Sequence, residues 1–138
     1  ITASDISLAS LSTGRKGIYH SRKLRDVDAV MRGKYFNRVG DTHFEVNNKL
    51  RKRICFAKLN VLEMDHVPVG KVHLIFCQNM LIYFDRERRI EILNNLVEHL
   101  LPGGVLILGA GEILGWQPPI IEKIDFNDTL AFRRLASV

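Results

Sequence analysis

Long apolar runs, cysteines and clustered histidines are scarce in this sequence, and each scarcity removes a class of protein. No apolar stretch reaches the roughly 18 residues that a membrane-spanning helix needs, so no membrane insertion is expected. The first residues lack the basic, apolar, small-residue order of a signal peptide, and a cytoplasmic protein is the simplest expectation. The two cysteines, Cys55 and Cys77, each lie inside an apolar run, which favours buried thiols in a reducing compartment over a disulfide framework. His20, His43, His66, His73 and His99 are scattered without the spacing of metal ligands, so no metal site is expected. Neither a G-x-S-x-G elbow nor a P-loop occurs.

What is present is enough apolar material for a core. The chain has 138 residues, 46% of them hydrophobic, which is one ordinary domain's worth. Its net charge of +5 is uneven: residues 1–53 hold 12 Lys and Arg against 5 Asp and Glu, and the remainder holds 8 against 10. Such asymmetry suits either an acidic partner or a solvated face. No aromatic residues alternate with the basic ones as stacking platforms would, so nucleic acid is not an expected partner.

The most informative stretch runs from Val72 to Phe84. It starts as an apolar run of strand length and changes at Gln78-Asn79, whose amides would stand at the strand's carboxyl end, where open α/β sheets bind ligands. Asp85 is a plausible N-cap for a helix with apolar residues at Ile90, Leu93, Leu96, Val97, Leu100 and Leu101. Pro102-Gly103-Gly104 should stop that helix, and Val105 to Leu108 reads as the next buried strand. Earlier in the chain, Ser7 to Ile18 and Leu24 to Met31 have partly helical spacing, Val39-Gly40-Asp41 reads as a turn, and His43 to Val46 alternates as a strand would. Ile54 to Leu59 and Thr129 to Leu135 complete the strand candidates.

The spacing Phe76-Cys77-Gln78-Asn79 through Ile82-Tyr83-Phe84 to Leu100-Leu101-Pro102-Gly103-Gly104 closely resembles the strand-four region of the chemotaxis receptor methyltransferases of the CheR type, F-C-R-N-V-x-I-Y-F followed by a helix and L-x-P-G-G. The resemblance implies an α/β fold with the Rossmann-like sheet of class I S-adenosylmethionine-dependent methyltransferases, a small antiparallel β insertion at about residues 35–53, and the C-terminal part of the catalytic domain across 1–138. It implies that an N-terminal helical subdomain, a first strand and a glycine-rich cofactor loop are absent. In this fold the first strand lies between the second and fourth, so its absence would leave unpaired edges and invite a homo-oligomer or strand-exchanged dimer. Gly109-Ala110-Gly111-Glu112, where the chemotaxis enzymes carry G-H-S-E, resembles the pilus-associated PilK branch. The insertion lacks the extra glycine-rich turn of members that dock a receptor's C-terminal pentapeptide, so no such docking is expected.

The resemblance also assigns site residues. Asp5 by itself reads as a helix cap, but Ala3-Ser4-Asp5-Ile6-Ser7 is similar to the family's A-T-D-I-S, which binds the nucleoside of S-adenosylmethionine. Asn60 by itself reads as a turn residue, and with Val61 it matches the family's N-L-L beside the adenine. Gln78 and Asn79 match the R-N pair at the cofactor, with glutamine replacing arginine and bringing no charge. His73 departs from the family's usual aspartate. Tyr83, which spacing alone would place in the core, matches the tyrosine close to the methyl donor and is the candidate catalytic residue. The implied function is a protein-glutamate O-methyltransferase acting on chemoreceptor cytoplasmic helices, with S-adenosylhomocysteine as by-product and with the chain inactive by itself. The alternative is a non-catalytic receptor-binding module derived from the same fold. Methylation of nucleic acid would call for a motif such as N-P-P-Y, which is missing.

Overall fold

The computed structural model describes residues 1–66, 70–126 and 129–136, with backbone only at Asp65, His66 and Phe126. The chain divides into two compact units, Ile1–Asn60 and Val61–Val138.

In the first unit, β1 (Thr2–Asp5) leads into α1 (Leu8–Lys16), β2 (Ile18–His20), α2 (Ala29–Tyr35), β3 (Phe36–Val39), β4 (His43–Val46), α3 (Asn48–Arg51) and β5 (Cys55–Lys58). Local chemistry sets the helix limits: Ser7 caps α1 by accepting from the Ser10 amide, and Gly17, left-handed at φ 65°, ends it. Asp28 caps α2 through the amides of Val30 and Met31. β1 and β5 pair in parallel with Asp5 opposite Lys58, and α1 lies against both, burying Leu11. A separate antiparallel sheet has the order β2-β4-β3. It takes in Ile18–His20, outside the span of about 35–53 read for the insertion, whereas Asn48–Arg51 is a helical turn. The expected second helix starts later than Leu24, because Ser21–Leu24 forms a 3₁₀ turn and Asp28 delays the helix to Ala29.

The burial expected for Cys55 also fails in this unit: the residue is exposed. Along β5 the two end residues, Cys55 and Lys58, are exposed and the two middle ones, Phe56 and Ala57, are half-buried, because a two-stranded sheet has too few neighbours to cover both faces.

The second unit carries the larger core. After a 3₁₀ stretch at Val61–His66, β6 (Val72–Cys77) is followed by α4 (Arg86–Glu98), β7 (Leu100–Leu108), β8 (Ile121–Phe126) and β9 (Thr129–Arg134). Their order is β6-β7-β9-β8; β6 and β7 are parallel, while β9 runs antiparallel to both of its neighbours. Asp85 caps α4 through the Arg88 amide, as the sequence suggests. Ile92, Leu93, Leu96 and Val97 of α4 are buried, as are Leu106 and Leu108 of β7. Trp116 packs edge-on against Phe132 at 5.2 Å, and its indole N–H donates to Asn94 of α4 at 3.1 Å.

Leu100 and Leu101 belong to β7 and not to the helix. Arg134 holds the chain where the helix stops: its Nη1 donates to the carbonyls of Val97 (2.9 Å) and Glu98 (2.9 Å) at the helix end and of Leu100 (2.7 Å) at the start of β7. The Pro-Gly-Gly segment then bulges, because Val72 pairs with Leu100 whereas Leu74 pairs with Val105. A Cβ on Gly104 would stand 2.8 Å from the Leu101 carbonyl oxygen and 3.2 Å from that of His73, so only glycine fits. β8 was not anticipated from the sequence. Among the described residues, β1 pairs only with β5 and β6 only with β7, and no helix is long and apolar enough to cross a membrane.

Two outcomes follow from this packing. Arg134→Gln should lower unfolding free energy by about 1–2 kcal/mol, the size expected for half-exposed hydrogen bonds to a charged donor, as read by urea denaturation. Cys77, unlike Cys55, is buried, and burial followed by the nearby Glu112 carboxylate pushes its thiol from 9.0 up to about 12. The unfolded thiol ionises at the lower value, so the contribution to stability is complete below 9.0 and is lost as pH rises toward about 12. Urea midpoints across that window should fall more steeply for the wild type than for Cys77→Ala, while a thiol reagent at about pH 8 modifies Cys55 and spares Cys77.

Candidate functional site

Parallel pairing aligns the carboxyl ends of β6 and β7, with Cys77 opposite Leu108, and the loops that leave these ends form the crest of the second unit. Gln78 is exposed there and its Nε2 reaches the Leu108 carbonyl at 3.4 Å, a long contact that spans the two strands. Asn79 is exposed and has φ 58°, the one non-glycine residue with positive φ among the described residues. Asparagine tolerates that region better than most side chains. A 3₁₀ turn follows at Leu81–Tyr83; Leu81 is fully buried and anchors it, whereas Tyr83 is 80% exposed. The core-packing role that spacing alone favours for Tyr83 is therefore excluded, and its hydroxyl is open to a ligand or partner.

Glu112 is the residue that sequence reasoning missed. It is 1% exposed, and its carboxylate accepts from the amides of Met80 and Leu81 (both 2.9 Å) and Gly109 (2.6 Å). Arg89 closes the other side of the same loop: Nε donates to the Phe84 carbonyl at 2.7 Å and Nη1 to the Glu112 carbonyl at 3.0 Å. The available signal was an acidic residue three positions after Gly109 at a strand end, a pattern the sequence reading treated only as a branch label.

The first unit has its own strand-end group. Asp5 ends β1, and its Oδ1 accepts from the Ser7 amide at 2.8 Å, the turn that precedes the α1 cap. The other carboxylate oxygen has no partner among the described residues and remains able to accept hydroxyl groups. Asn60 follows β5 at the same end of the sheet, since Lys58 is paired with Asp5 and the Leu59 amide donates to the Asp5 carbonyl at 3.2 Å. Val61, half-buried, opens the 3₁₀ stretch of the second unit. The structure thus brings Asp5 and Asn60 together in one unit, and Gln78, Asn79 and Tyr83 together in the other.

In the first unit the chemistry present is a carboxylate oxygen able to accept hydroxyl groups and an amide side chain; in the second it is two amides and a phenolic hydroxyl at the end of β6. Among the described residues, no group of three or more His, Cys, Asp or Glu side chains is arranged to hold a metal ion.

A protein-family model described as "CheR methyltransferase, SAM binding domain" matches residues 1–129. A chemotaxis protein methyltransferase of Vibrio parahaemolyticus is 33% identical over 134 residues, covering 96% of this chain and 48% of that protein. The chemotaxis protein methyltransferase of Escherichia coli is 35% identical over 115 residues, covering 81% and 40%. The chain therefore spans about half the length, or less, of the curated relatives it matches. Among solved structures, a putative rRNA methylase from Clostridium thermocellum superposes with a TM-score of 0.53 at 15% identity, covering 99% of this chain and 73% of that one, which speaks for a class I methyltransferase fold. With its strand order, its parallel crest and a match over 1–129, this chain belongs to the CheR methyltransferase SAM-binding domain family.

Proposed function

We propose that the protein at its natural length transfers the methyl group of S-adenosylmethionine to glutamate side chains on the cytoplasmic helices of chemoreceptors, and that this chain supplies cofactor-binding and acceptor-positioning residues. The observation that carries the reading is the family match over 1–129, supported by relatives that are chemotaxis protein methyltransferases. A glutamate carboxylate is ionised near neutral pH, so the reaction calls for in-line placement and exclusion of water more than for acid or base help. When bound, the cofactor supplies an electrophilic methyl on sulfonium sulfur.

The chain's residues divide that work. Asp5 accepts the ribose hydroxyls; Asn60 and Val61 hold the purine edge and face; Gln78 and Asn79 hydrogen-bond the cofactor from the β6 crest. Tyr83 donates its phenolic hydrogen to the acceptor carboxylate and orients it. The antiparallel strands of the first unit are assigned to receptor contact, in keeping with the basic balance of residues 1–53. We place the protein in the cytoplasm, in chemotaxis or pilus signalling, the second on account of Gly109-Ala110-Gly111-Glu112. That β1 pairs only with β5, and β6 only with β7, among the described residues supports self-association of the 138-residue chain.

A second reading, a receptor-binding module without catalysis, draws on Gln78. It lacks the positive charge of the family's arginine, and its amide is turned toward the Leu108 carbonyl. Calorimetric titration with S-adenosylhomocysteine separates the two. Catalysis requires binding, and Asp5→Ala should weaken it by about tenfold to a hundredfold, the worth of hydrogen bonds to a charged acceptor. Heat that is absent in the wild type, or unchanged in Asp5→Ala, would overturn the site assignment. Tyr83→Phe should leave that affinity unchanged and lower kcat by about tenfold, followed as alkali-labile methyl ester formed on receptor.

A further inference from the structure

The buried carboxylate of Glu112 has no role in the chemistry outlined above, yet it is an expensive group to keep. It is 1% exposed and forms no ion pair among the described residues, where the groups that meet its oxygens are backbone amides. A carboxylate taken out of water without a cation is retained only where several hydrogen bonds are made to it. Here there are three, and they come from two different loops.

The placement of these bonds is specific. Oε1 receives the successive amides of Met80 and Leu81, which open the 3₁₀ turn carrying Tyr83. Met80, at the cap position of that turn, offers no side-chain acceptor, so Glu112 supplies the cap from 31 residues away in sequence. Oε2 receives the Gly109 amide at the end of β7. A Cβ on Gly109 would stand 2.7 Å from that oxygen, so the glycine is what lets the carboxylate approach. Immediately before the capped amides, Asn79 holds its positive φ, a conformation that persists where its surroundings enforce it.

We propose that Glu112 is a positioning residue: its carboxylate ties the loop after β7 to the loop after β6 and so fixes the arrangement in which Asn79 meets the cofactor and Tyr83 meets the acceptor carboxylate. This rests on the methyltransferase reading. Glu112 touches neither reactant and acts through Gln78 to Tyr83.

The test uses the protein at its natural length with Glu112→Gln, which keeps the shape but replaces one acceptor oxygen by a donor. Arg134→Gln serves as a control that weakens the far end of α4 without touching the crest. Methyl transfer to receptor gives kcat and KM, thermal unfolding gives stability, and hydrogen exchange follows the amides of Met80 and Leu81. In Glu112→Gln, kcat should fall by about tenfold or more and the two amides should exchange about tenfold faster, at a stability no lower than that of Arg134→Gln, whose kcat stays at the wild-type value. Should Glu112→Gln fail to fold, Gly109→Ala, which crowds the same oxygen, carries the comparison with the same expected loss. Wild-type kcat in the folded variant, or an equal loss in Arg134→Gln, would overturn the positioning role alone. A wild-type protein without methyl transfer would overturn the methyltransferase reading, and this role with it.

Discussion

Parallel pairing of β6 with β7 is the constraint on which the second unit depends. Parallel neighbours cannot be joined by a tight turn, so the chain must leave the top of β6, cross over and re-enter beside its start. Helix α4 makes that return, and its buried face, Ile92, Leu93, Leu96 and Val97, becomes the core that the sheet needs. Two loops consequently emerge side by side at the carboxyl ends; Gln78, Asn79 and Tyr83 lie on the first of them, and Glu112 braces it from the second.

The bracing differs at the two ends of the crossover. At the crest, Glu112 gathers amides from both loops and Arg89 closes the far side, so the exposed Asn79 and Tyr83 stand on a loop held from below. At the opposite end, Arg134 of β9 gathers carbonyls from the last turn of α4 and the first residue of β7. An acidic side chain serves free N–H groups and a basic one serves free C=O groups, as the polarity of the backbone requires.

In the sequence, the strongest readings were local. The Asp85 cap, the β6 run and the His43–Val46 strand could be identified because their determinants lie within a few residues of each other. The end of α4 was misplaced because Leu100 continues the helical spacing of apolar residues, and the group that holds the chain where the helix stops, Arg134, lies more than thirty residues away. Cys55 was misjudged for a related reason: an apolar run tells that a strand exists, whereas coverage depends on how many neighbours its sheet acquires. β8 escaped notice because Glu122, Lys123 and Asp125 break its apolar pattern, and its pairing with β9 holds it in the sheet.

The sequence by itself determined the family and the candidate cofactor residues, since the spacing from Phe76 to Gly104 and the Asp5 and Asn60 segments are contiguous patterns. Only the tertiary structure decided which residues are offered and which are braces. Tyr83 and Leu81 are near neighbours in one apolar group, yet one is exposed and the other fully buried. Glu112 reads as an ordinary acidic residue until the fold surrounds it with three amides. The reason is physical: covalent spacing fixes local capping and periodicity, but burial and the pairing of polar groups depend on what distant segments bring to the same place.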